Sequence, residues 1–145
     1  MRSSTYSSVA LLTAANALEQ LGDTIESQVI NKGYQRLENV VEVSDATRVH
    51  LQQLHTAALD TLDLSLEAVG ERSWRLTDKV LETKADFRDL ESVAKSHLAE
   101  RLAAPEPGRV AAYSFEIELM EALDLVHRSC RRIVRALGRP DMAAA

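Results

Sequence analysis

Residues 66–76 read LEAVGERSWRL, and the fold turns on how this stretch is divided. On its N-terminal side Leu51, Leu54, Ala58, Leu62, Leu66 and Val69 recur at steps of three and four, the spacing of one helix face. On its C-terminal side Leu76, Val80, Phe87, Leu90, Ala94 and Leu98 do the same, to a helix end near Leu102. Gly70 is a stop signal for the first of these helices, and only GERS, residues 70–73, remains to join them. Two long helices linked by so short a turn must run antiparallel.

Working outward, AAPEPG at 103–108 leaves little room for helix and reads as a loop. Beyond it Tyr113, Ile117, Met120, Leu123, Val126, Ile133 and Leu137 mark a further helix, stopped by Gly138 and Pro140. Upstream, Ser44 is a candidate N-cap with Asp45 in the first turn, where the helix dipole favours a carboxylate. The stretch YQRLENVVEV at 34–43 reads equally as a short helix or an extended connection. Before it, Leu11, Ala14, Leu18, Leu21, Ile25 and Val29 trace one stripe from about Ser8 to Ile30, with Asn31 and Gly33 as the ending signal. Four helices, each with one apolar stripe, predict an all-α fold: an antiparallel up-down four-helix bundle. It forms a single domain over 1–145, with 138–145 as a C-terminal tail.

Composition agrees. The chain has 145 residues, enough for one core, with 5 glycines, 3 prolines and 4% aromatics. A net charge of −5 argues against nucleic acid as a partner of the whole surface. Cys130 is the sole cysteine, which excludes an internal disulfide and suits a reducing compartment. No run of about 18 apolar residues is present to span a bilayer. MRSSTYSSVALLTAANALEQ at 1–20 has the outline of a leader, but it flows directly into a periodic helix that contains Glu19 and Asp23.

Those two acids pose the first chemical question. In LEQLGDTIE, 18–26, they lie four apart on one helix face, a like-charge arrangement costing roughly 0.2–0.5 kcal/mol. Gly22 between them costs about 1 kcal/mol more than alanine in a helix interior. The spacing recurs in LETKADFRDLE, 81–91, with Glu82 and Asp86, and Asp89 follows. Carboxylates converging from two helices suit a hard or borderline divalent cation such as Mg, Mn or ferrous iron. An ordinary solvated face explains the second pair as well, since Lys79, Lys84 and Arg88 flank it. Neither pair carries the Glu-x-x-His of di-iron bundles.

His50 and His55 do not share a helix face, and His127 with Cys130 is half a zinc site without a second half. No phosphate-binding glycine loop or nucleophile motif is present, so no catalytic constellation is assigned and the chain reads as a non-enzyme. The last helix is polarised, with Glu116, Glu118, Glu121 and Asp124 early and Arg128, Arg131, Arg132, Arg135 and Arg139 late. This order complements the helix dipole. It also makes a basic patch fit for acidic lipid headgroups or an acidic partner.

With these residues placed, a family resemblance emerges. LEQLGD at 18–23 resembles the Leu-Glu-Arg-Ile-Gly-Asp signature of PhoU-like domains. SHLAERL at 96–102, with His97 and Arg101, is similar to the end of a helix in the PhoU-like domain of bacterial sodium/phosphate cotransporters. AANALEQLGDTIES at 14–27 and LHTAALDTLDLSLEAV at 54–69 also resemble that subgroup. The resemblance implies two three-helix repeats, of which this chain looks like the last helix of one and all of the next. It implies Glu19, Asp23, Glu82 and Asp86 as motif carboxylates for a divalent metal, with Gly22 at a close helix crossing. LDLVHR at 123–128 aligns with the same signature, giving Asp124 at one acid position but Arg128 at the other, where an arginine neutralises the site internally. The implied role is a regulatory or accessory domain in phosphate transport, on the cytoplasmic side of the inner membrane as part of a transporter. The implied partners are the transporter's membrane domain, the membrane surface or phosphate-signalling proteins. A homodimer closing a leftover apolar groove is the corresponding expectation for a free-standing, cytoplasmic regulator.

Overall fold

The computed structural model describes residues 7–138; the remainder of the expected tail, with Arg139, lies outside them. The chain forms α1 (Ser8–Thr24), a π-helical stretch (Ile25–Ile30), α2 (Asn31–Glu38), α3 (Asp45–Glu71), α4 (Trp74–Leu102) and α5 (Arg109–Leu137). Among the described residues there is no strand, and four long helices pack into the expected four-helix bundle. Partner pairs fix the up-down order. Thr47 near the start of α3 meets His97 near the end of α4, Thr83 of α4 meets His127 of α5, and Gln20 of α1 meets Arg132 of α5.

Local chemistry sets the boundaries. Ser7, Ser44 and Ser73 cap α1, α3 and α4, each accepting the backbone N–H three residues on, which satisfies a donor the helix start would leave unpaired. Ser44 therefore acts as the sequence predicts. Arg72 in the left-handed region (φ 52°) ends α3 within the turn expected at 70–73, two residues after Gly70. Gly138 (φ 64°) stops α5, a conformation that glycine adopts without a Cβ clash.

The first helix departs from expectation. Asn31 and Gly33 do not end it; helical backbone continues through the π-helical stretch into α2 and stops at Glu38, where Val40 takes φ 49°. An interior glycine weakens a helix by about 1 kcal/mol but does not break it when the flanking turns hold. The ambiguous 34–43 stretch thus divides, helix to Glu38 and a non-helical connection after Asn39 and Val40.

The core sits around α5, which packs against α1, α3 and α4. Ala14, Ala17, Leu21 and Thr24 are the buried face of α1. Along α3 the buried residues are Thr47, Leu51, Leu54, Ala58, Thr61, Ser65 and Ala68, strictly alternating steps of four and three. That is the 3.5-residue seam of helices packed knobs into holes. Leu66, expected in the α3 stripe, is half exposed, as is Leu11 of α1. Ser65 occupies the seam instead, hydrogen-bonding the Thr61 carbonyl so that its hydroxyl costs little when buried.

Candidate functional site

The carboxylate pairs are not brought together. Glu19 and Asp23 lie exposed on α1, whose buried face rests on α5, and Glu82 and Asp86 lie exposed on α4. Asp86 borders a cleft of about 210 Å³ between α3 and α4 that Asp60 and His127 also line. Among the described residues no group of three or more His, Cys, Asp or Glu is arranged to hold a metal ion. The physical reason is the packing: α1 makes its extensive contact with α5, so its motif has no facing motif on α4. Asp124 is taken by Arg128, at 2.9 Å, the internal neutralisation that the arginine suggested. Exposure to solvent accounts for the tolerated repulsion of Glu19 and Asp23, which water screens.

Gly22 requires a correction too. A Cβ built there meets nothing within 4 Å, so the glycine serves no close helix crossing. It sits on the solvent side of α1, next to core-facing Leu21.

His97 and Arg101 hold the end of the bundle where α3 begins, α4 ends and α5 begins. The His97 ring nitrogen is 2.9 Å from the Thr47 hydroxyl and its ring lies 4.7 Å from that of His50. Burial, then the neighbouring His50 and Arg101, lower its pKa, against the pull of Glu100 and Glu116. Arg101 grips Glu106 with both terminal nitrogens and so pins the 103–108 loop. Close by, fully buried Glu116 pairs with buried Arg109. Sequence reading placed Glu116 only among the acids that complement the helix dipole, though its place in the 112, 116, 120, 123 spacing and an arginine seven residues earlier signalled a buried partner.

The half-zinc idea dissolves into packing. His127 bonds the Thr83 hydroxyl at 2.9 Å and stacks on Phe87 with ring centroids 4.1 Å apart. Burial, reinforced by Arg131, pushes its pKa down to about 4. Cys130 faces Ser65 of α3, and burial raises its thiol to about 11, well away from a reactive thiolate.

Two further surface features bear on function. The first is an apolar groove of about 520 Å³ between the π-helical stretch, α2, α3 and α5, walled by Val29, Val43, Leu51, Phe115, Leu119 and Leu123. It is open because α2 buries none of its residues; Tyr34 (61% exposed) and Leu37 (73%) stand along its lip. The second is a cleft of about 410 Å³ between α1 and α5, lined by Thr13, Arg128, Arg131, Arg132, Arg135 and Ala136. Here the predicted basic residues do come together, and Lys84 and Arg88 of α4, though not in the cleft's lining, lie within electrostatic reach. The cations of Arg88, Arg131 and Arg135 all lower the Lys84 pKa. Lys84 and Arg88 had read as partners of Glu82 and Asp86; their helix position gave no sign of the arginines across the interface.

No protein-family model, no curated protein and no solved structure matches this chain. Among the described residues, no helix is long and apolar enough to cross a membrane.

Proposed function

We propose that the chain is a non-enzymatic, PhoU-like regulatory domain of sodium-dependent phosphate transport that works by docking a helix of its partner, the transporter's membrane domain, on the cytoplasmic side of the membrane. The apolar groove carries the docking part of this reading. Its wall is continuous with the core through Leu51 and Leu123, yet it stays open, so an apolar helix face seated there extends the core and removes that surface from water. Arg36 and Arg48 line the same groove and select an occupant flanked by acidic residues. The phosphate-transport part rests on the resemblance of LEQLGD and SHLAERL. A non-catalytic role fits the titratable groups, because buried His127, Cys130 and Glu116 and half-buried His97 are each engaged in packing or pairing.

The test is the native product in fractionated cells of the source, probed with an antibody against this chain. A membrane-bound band much heavier than 16.0 kDa, releasing its partner when Tyr34 and Leu37 are both changed to Asp, supports the reading. A soluble product near 16.0 kDa overturns the transporter attachment. The groove also favours a second reading, a free-standing regulator that pairs with a second copy of itself. Equilibrium sedimentation distinguishes it: a dimer that the same two substitutions split into monomers supports self-association.

A further inference from the structure

The arginine-lined cleft between α1 and α5 is independent of the groove and holds charge of one sign. Arg128, Arg131, Arg132 and Arg135 stand at i, i+3, i+4 and i+7, one face over about 10 Å of helix. Each neighbouring pair at these spacings costs roughly 0.2–0.5 kcal/mol in repulsion. The dipole at the end of α5 offsets part of this. It does not explain why Lys84 and Arg88 of α4 stand within electrostatic reach of Arg131. Nor does it explain Arg131, which is 92% buried by its 8% exposure, makes no ion pair among the described residues, and leaves its Nε without a hydrogen-bond partner. Burial and the cations of Arg135, Arg88 and Arg128 act against its charge, with Asp124 the one acid favouring it. Asp124 is itself bound to Arg128. In a chain of net charge −5, this is a site where, among the described residues, only Arg128 of the four arginines has a carboxylate partner.

We propose that this cleft binds phosphate groups, recognised by the guanidinium forks of Arg131, Arg132 and Arg135 with Lys84 and Arg88 supplying long-range attraction. Planar forks on one helix face match the several oxygens of a phosphate dianion through paired, charge-assisted hydrogen bonds. The Thr13 hydroxyl donates to the Val9 carbonyl and so serves as wall rather than ligand. Arg132 is held in place by the side-chain oxygen of Gln20 at 3.0 Å, which orients its fork before the anion arrives. The phosphate can belong to a soluble polyphosphate or to a lipid headgroup; both present the same chemistry.

The experiment titrates the full chain with inorganic triphosphate by calorimetry, and in parallel sediments it with phosphatidylcholine vesicles containing phosphatidylglycerol. Binding of triphosphate alone assigns a soluble ligand. Binding of the vesicles, reversed by triphosphate, assigns a headgroup. In either case Arg132→Gln with Arg135→Gln, both exposed residues whose loss leaves the core intact, is expected to weaken binding at least about tenfold and to flatten its salt dependence. Arg88→Gln gives a smaller loss from the α4 side. The proposal fails if neither probe binds, if the double variant binds as well as the native chain, or if polyglutamate competes as strongly as triphosphate.

Discussion

Arg109 and Arg131 lie on the same helix and are nearly equally buried, at 6% and 8% exposure. Arg109 has a buried carboxylate, Glu116, two turns along its own helix. Arg131 has Arg128 and Arg135 one turn to either side, Gly138 two turns along, and no ion pair among the described residues. The first half of α5 therefore spends charge on structure: a buried ion gains a partner, and the 103–108 loop beside it is pinned by a second pair, Arg101 with Glu106. The second half keeps charge in excess along its cleft with α1, within electrostatic reach of Lys84 on α4. Neutralised charge marks a scaffold, and charge left unbalanced against an energetic cost marks a surface that meets something else.

The sharpest way to break this contrast is to remove a charge from the first half. Glu116→Ala strands Arg109 in the core, and about 3–5 kcal/mol of stability is expected to be lost, measured by urea unfolding. A loss under about 1 kcal/mol means that the pair is not structural and the two halves do not differ. The junction of the halves gives the next effect. His127 is buried neutral, with a folded pKa of about 4 against 6.5 in the unfolded chain. Between these values the unfolded chain binds the proton and the folded chain does not. Stability is therefore fully present above pH 6.5 and falls as pH drops toward 4, by about 3 kcal/mol. His97, also lowered, acts in the same direction. Unfolding curves for the native chain and His127→Gln, taken across this range, should converge at the acid end.

How much of this was legible varies with what the reading depended on. The bundle, the Ser44 cap, the loop at 103–108 and the antiparallel pair around 66–76 followed from spacing and turn chemistry, which are local. Register was harder. Leu62 does pack against the core, but Leu66 drew the α3 stripe only because it is apolar, whereas geometry buries Thr61 and Ser65, which satisfy their hydroxyls within the helix. The metal reading failed on tertiary grounds: equal motifs on two helices meet only if those helices face one another. The arginine cluster was legible along α5, but its enlargement by α4 was not. Gly22 tests the surface side of the same distinction. Since nothing lies beyond its Cβ, Gly22→Ala should raise stability by about 0.5–1 kcal/mol in thermal unfolding. A destabilised variant restores the idea of a tight crossing.

The smallest effect bears most directly on the comparison. Arg132 and Arg135 are exposed, and removing both charges relieves their mutual repulsion and that with Arg128 and Arg131. The same change forfeits the Gln20 contact and the favourable placement of Arg135 in the last turn of α5. These contributions oppose one another at a few tenths of a kcal/mol each, so Arg132→Gln with Arg135→Gln should shift the unfolding free energy by less than about 0.5 kcal/mol, in either direction. Urea curves that overlay those of the native chain would show that folding does not need these arginines, in contrast to Glu116. A loss of about 2 kcal/mol would place them in the scaffold with Arg109, and the distinction between the two halves of α5 would no longer hold. Because the same double variant reports on triphosphate binding, stability and recognition separate in one protein: a charge that can be deleted without unfolding, yet not without losing the anion, is kept for the anion.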